Sequence, residues 1–237
     1  MDTDTLQNTL TELVQSGSAS NPAYATLLRD YATYHAVLVL EGGIVALLLV
    51  ALSIYCWRRF ARARANRSRA WTFETKAFLS SSLVSTLLAA LMLLIVAANF
   101  SNVVNPQAGF AHAIPDLGTP PAGTHRAALH EAVNTWVQSG RAERPALLRD
   151  AVRARLAWQQ PKAIACSIVF VALAVLTARL WRRLLNARAG AGAWSLRDRA
   201  LLAAGMLAVP ATFLLMIMAL ANTQASFAPI TLTLLFG

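Results

Sequence analysis

Apolar positions gather into four long runs, at about Ala36–Cys56, Phe78–Ala98, Ala163–Leu180 and Ala200–Ala221. A helix rising ~1.5 Å per residue crosses a ~30 Å hydrocarbon layer in about 20 residues, so each run is long enough to span. Outside the runs the period changes. Leu6, Leu10, Leu13 and Val14 fall on one face of a helix, and Leu129, Val133, Trp136 and Val137 do the same. Gly17 and Gly140 follow these segments as C-terminal signals, and Pro22 and Pro145 then stand as first-turn prolines of a second helix. The first of those helices reads as continuous from about Asn21 to Phe60. Its counterpart meets Pro161, which predicts a kink or break.

The pattern occurs twice. Val14-Gln15-Ser16-Gly17 recurs as Val137-Gln138-Ser139-Gly140, and Leu27-Leu28-Arg29-Asp30 as Leu147-Leu148-Arg149-Asp150. Trp57-Arg58-Arg59 recurs at Trp181-Arg182-Arg183, Ala70-Trp71 at Ala193-Trp194, and Pro106 at Pro229. These matches keep their order along the chain, so a tandem duplication is expected. Its first copy is 1–107, a Pro/Gly-rich external linker occupies 108–123, and the second copy is 124–237. The expected fold is an all-α integral membrane protein. Four transmembrane helices form two hairpins, with extra amphipathic helices on the outer side. Thr72 and Ser195-Leu196-Arg197-Asp198 are placed to cap the second span of each hairpin. The tail 226–237 is apolar but too short to span, and is expected at the outer interface or against a partner.

Composition agrees: 57% of the 237 residues are hydrophobic and 14% charged, against roughly 25% charged in average globular proteins. Charge then orients the hairpins. Segments 57–77 and 181–200 carry 12 Lys and Arg with only Glu74 and Asp198 opposing them, which accounts for the chain's net +10. Basic loops favour the cytoplasmic side, so both connectors are expected inside, with the N-terminus, 101–161 and the C-terminus outside. A bacterial plasma membrane suits the short loops. The chain opens Met1-Asp2-Thr3-Asp4, acidic where a leader needs positive charge, so the first span is expected to act as its own insertion signal. Nucleic acid is not an expected partner despite a pI near 11.0, because the charge sits beside apolar spans. Cys56 and Cys166 belong to opposite sides of the bilayer in this topology, too far apart for a disulfide.

Candidate chemistry is sparse. Glu41, followed by Gly42-Gly43, is the one ionisable residue well inside a predicted span. Intramembrane carboxyls face protein or water, so Glu41 reads either as an ion or proton site or as a structural or partner contact. Ser81 with Ser85, and Ser82 with Thr86, place small hydroxyls at i,i+4 on the second span. They suit close helix packing or a hydrophilic path. Asn99, Asn102, Asn105 and Asn222 are expected to end and solvate their helices. On the inner loops Arg58, Arg59, Arg62, Arg64, Trp71, Arg182, Arg183 and Trp194 suit anionic lipid head groups or a partner's acidic face. The four histidines, His35, His112, His125 and His130, lie outside the spans, which leaves no bis-histidine haem pair. His125, His130 and Glu131 do not share one helix face as metal ligands would. No nucleophile–base arrangement, P-loop or dinucleotide fingerprint is visible, so no catalytic, cofactor or metal residue is assigned. The expected function is a non-catalytic membrane subunit that assembles with, stabilises or regulates a larger complex. The alternative is an oligomeric channel or transporter-like protein using Glu41 and the Ser-rich second span.

Overall fold

The computed structural model describes residues 5–17, 20–65, 71–188 and 195–236. Among them there are helices and no strands. In chain order these are α1 (Thr5–Ser16), α2 (Pro22–Ala65), α3 (Phe73–Val104) and α4 (Pro106–Ala113), followed by a single 3-10 turn at Pro115–Leu117. Then come α5 (His125–Ser139), α6 (Ala146–Arg188), α7 (Leu196–Phe227) and α8 (Pro229–Phe236). Four of them, α2, α3, α6 and α7, are long and apolar enough to cross a membrane. The chain is therefore all-helical, with four candidate membrane-spanning helices.

Two compact units divide these residues. The first draws on Met1–Val39, Ala97–Ala163 and Ala221–Gly237, the second on Leu40–Val96 and Ile164–Leu220. In the first unit the amphipathic helices find each other. Leu6 and Leu10 of α1 pack in one core with Leu129, Val133, Trp136 and Val137 of α5, so each apolar stripe is covered by another. Both helices stop at left-handed glycines, Gly17 (φ 65°) and Gly140 (φ 62°), where a side chain would be strained. Asn21 starts α2 by accepting from the Tyr24 amide, and its Nδ2 donates to the Val137 carbonyl in the last turn of α5. Within 108–123 the chain is folded into this core, burying Phe110, Ile114 and Leu117.

The apolar tail docks on its own chain. Ile230 and Leu234 of α8 are buried in the first unit, and His130 Nε2 lies 3.2 Å from the Leu234 carbonyl. How α8 starts is instructive. Asn105 caps α4 locally, accepting from the Ala108 amide. At α8 the equivalent position is Ala228, which has no side-chain acceptor. Asp30 supplies it from α2: Oδ2 accepts from the Thr231 amide (2.7 Å) and the Thr231 hydroxyl (2.8 Å). A carboxylate suits the positive end of a helix. Asp30 lies before the apolar run of α2, and burial pushes its carboxyl up from the ordinary range while the Thr231 donors and Arg144 pull it back. The matching Asp150 is exposed, 3.6 Å from Arg153.

In the second unit the spans meet at a small core of Ala46, Met92 and Met216, with Phe170 and Phe213 against it. Both predicted caps form. Thr72 Oγ1 accepts from the Thr75 amide, and Ser195 and Asp198 exchange reciprocal 3.1 Å bonds. Two expectations change. α6 is continuous through Pro161, so the break, one of the two outcomes expected there, does not occur; one missing amide is tolerated in a long helix. Asn99 and Asn102 do not end their helix, because α3 continues to Val104.

The two aspartates predict different costs. Asp30→Ala should loosen α8 by about 1–2 kcal/mol, the cost of a lost cap, read as faster amide exchange across α8. Asp150→Ala, which removes one exposed ion pair, should leave that exchange within error.

Candidate functional site

Inside an apolar span a hydroxyl has no water to turn to, so its partners show what it is for. Thr86 on α3 is fully used. Its Oγ1 donates to the Ser82 carbonyl (2.7 Å), leaving Ser53 of α2 to donate to it across the helix pair at 2.7 Å. Trp57 Nε1 donates to the same oxygen at 3.1 Å. One donor and two acceptor sites exhaust a hydroxyl. α6 and α7 make the corresponding contact: Thr212 donates to the Ala208 carbonyl, and Thr177 lies 3.0 Å from its Oγ1. Here the tryptophan differs. Trp181 Nε1 is buried with no hydrogen-bond partner among the described residues, and its ring lies against Gly205, where an added Cβ would stand 3.3 Å from that nitrogen.

The expected serine site is rearranged. Ser82 and Ser85 are buried and face the packing side of α3 with Phe78, Ala89 and Met92, whereas Ser81 is exposed. Ser85 donates to the Ser81 carbonyl (2.7 Å), so its proton is spent within its own helix. Glu41 is half-buried, with Oε2 excluded from solvent and without a hydrogen-bond partner among the described residues. Its neighbour Gly42 stands where α2 and α3 approach closely: a Cβ there would be 3.1 Å from Val96 Cγ2. Met92 and Val96 are seven or more residues beyond Ser85 on α3, roughly 10 Å along the axis. Glu41 and the serine pair are therefore separate features.

The inner-loop residues divide similarly. Arg59 pairs with Glu74 (3.2 Å) and lies 5.2 Å from the Phe78 ring centroid. Both charged groups are over two-fifths exposed, so this pair adds little stability. Arg64 stands 5.1 Å over exposed Trp71. Arg58, Arg62, Arg182 and Arg183 are exposed, and Trp194 lies outside the described residues.

A polar cluster in the first unit was not expected from the sequence. His35 Nδ1 lies 2.6 Å from Asn99 Oδ1 and 3.4 Å from Asn102 Nδ2, with the Tyr31 ring 4.4 Å away. A Cβ on Gly109 would collide with Asn102 Oδ1 and the Tyr31 hydroxyl, so glycine lets α4 close over the cluster. Gln159 donates to Asn222 (3.1 Å) at matching positions of α6 and α7. The offset that pairs the tryptophans also pairs Ser53 with Thr177 and His35 with Gln159, a signal present in the sequence.

Chemically, the hydroxyl and amide contacts pair polar atoms between helices; none of them sets a nucleophile beside a base. Among the described residues no three His, Cys, Asp or Glu side chains gather as metal ligands. Comparisons with protein-family models, curated proteins and solved structures find no match.

Saturation at Thr86 predicts an unequal response. Thr86→Val strands both Ser53 and the Trp57 N–H, and should destabilise the protein by about 1–2 kcal/mol in detergent unfolding. Thr212→Val removes one interhelical bond and should cost about 0.6 kcal/mol or less.

Proposed function

We propose that this protein is a non-catalytic integral membrane subunit, made of two copies of one helical unit, that assembles with and stabilises or regulates a larger membrane complex. The observation carrying this reading is how little of its spans the chain covers. Within the most apolar windows of α2, α3, α6 and α7, only 17%, 17%, 6% and 11% of residues are buried. Lipid can cover aliphatic surface, but it does not satisfy a carboxyl. Glu41, with an oxygen withdrawn from solvent and unpartnered among the described residues, favours a protein neighbour.

Duplication is supported by element lengths. The helices of the first copy span 12, 44, 32 and 8 residues, and those of the second 15, 43, 32 and 8. The paired glycine stops and the two hydroxyl contacts add to it. Orientation is supported by charge together with gathering. The three segments expected outside, the N-terminal, middle and C-terminal ones, together form the first compact unit. The basic connectors then face the cytoplasm of a bacterial plasma membrane, with both termini outside. There Arg58, Arg59, Arg62, Arg64, Trp71, Arg182, Arg183 and Trp194 contact anionic head groups or an acidic partner face.

Crosslinking followed by purification in mild detergent tests this reading. A stoichiometric membrane-protein partner is expected; a monodisperse chain with no crosslinkable neighbour would count heavily against it. A second reading, an oligomeric channel or transporter-like protein, rests on Glu41 alone, because Ser85 and Ser82 spend their protons within α3. It requires an ion or proton flux in liposomes that Glu41→Gln abolishes. Identical flux in protein-free vesicles would remove it.

A further inference from the structure

The first part of α6 carries a row of cations, and their partners sort them. Arg149 bonds to Glu143 at 3.1 Å and Arg153 lies 3.6 Å from Asp150. Arg155 and Lys162 have no carboxylate within ion-pairing distance among the described residues. With Trp158 they occupy one helix face, at i, i+3 and i+7. Lys162 folds back along that face, its ammonium 3.2 Å from the Trp158 ring centroid. Trp158 is nonetheless 55% exposed. Two like charges therefore flank an open indole with no carboxylate among the described residues paired to either. Burial also pulls the Arg155 guanidinium below its ordinary range.

The surroundings fix what kind of anion fits. The apolar run of α6 begins at Ala163, directly after Lys162, and its next large side chains, Ile164 and Ile168, are 62% and 64% exposed. Pro161 cannot supply the amide that the Ala157 carbonyl would otherwise receive, which suits a polar layer rather than hydrocarbon. Tryptophan with lysine or arginine just before an apolar run is the composition of a membrane interface. Offset by 124, the matching residues of α2 are Tyr31, Tyr34 and Leu38, which carry no charge. The feature belongs to one half only.

We propose that Arg155, Trp158 and Lys162 form a binding site for the phosphate of an anionic phospholipid at the membrane entrance of α6. The guanidinium and ammonium share the phosphate oxygens, and the indole packs beside the glycerol with its N–H free to donate. The site is distinct from the basic connectors, because it lies at the other end of the α6 apolar run from Arg182 and Arg183.

Brominated lipids test it, since bromine quenches only nearby tryptophan. The full-length protein and Trp158→Phe are reconstituted in phosphatidylcholine vesicles containing a minor fraction of phosphatidylglycerol, with bromine on the acyl chains of one lipid or the other. The difference between the two proteins isolates Trp158. Its quenching per brominated phosphatidylglycerol should exceed that per brominated phosphatidylcholine by on the order of ten-fold, as two interfacial cations imply. The preference should fall to parity in Arg155→Gln/Lys162→Gln and persist in Arg182→Gln/Arg183→Gln. Unchanged helical circular dichroism and unchanged quenching by brominated phosphatidylcholine would show that each variant is folded and inserted. Equal quenching by the two lipids in the unaltered protein overturns the site, as does a preference that survives loss of both cations.

Discussion

A polar atom placed among apolar side chains is costly unless it is hydrogen-bonded, and that constraint governs how these helices meet. Thr86 is the clearest case. Its hydroxyl holds its own helix through Ser82 and its neighbour through Ser53, and anchors the Trp57 ring through the indole N–H. Because that oxygen has no capacity left, α2 and α3 have one preferred register at this level. Elsewhere the same pair meets through apolar contacts, Ala46 with Met92, Gly42 against Val96 and the Tyr55 and Phe78 rings 6.3 Å apart. Specificity here comes from a few hydrogen bonds, because apolar packing alone does not distinguish a helix from lipid.

The corresponding contact between α6 and α7 obeys the constraint less completely. Thr177 and Thr212 meet as Ser53 and Thr86 do, but Trp181 turns against Gly205 and its N–H finds no acceptor among the described residues. Glycine is what permits the ring to come so close, since any side chain at 205 would meet Leu180 and Trp181 within about 3 Å. Close ring-to-backbone packing has replaced a hydrogen bond. The two helix pairs thus reach similar lengths by different balances of dispersion and polarity.

Much of the fold was legible because it follows from periodicity and from terminal chemistry. Four apolar runs gave four long helices, and the Ser195–Asp198 capping box is formed as its spacing implies. Glycine stops at Gly17 and Gly140 were readable for the same reason. The contacts of sites were harder. Asn99 reads as a helix terminator because asparagine is a poor helix former, yet its bond to His35 keeps it inside α3. Ser81 and Ser85 share an idealised face, but α3 turns Ser82 and Ser85 toward its neighbour and leaves Ser81 out. Nothing local could reveal that Asp30 caps α8, since the partner is 201 residues away.

That clasp bears on how the chain can be threaded through a bilayer. Asp30 precedes the first apolar run and Thr231 follows the last, so every crossing lies between the two atoms that bond. Only an even number of crossings leaves both ends in the same compartment. A chain that skipped one span during insertion would carry Asp30 and α8 on opposite faces, with a carboxylate and a helix terminus each left wanting. The bond works as a parity check on topology: it can close only when the number of crossings between its two partners is even.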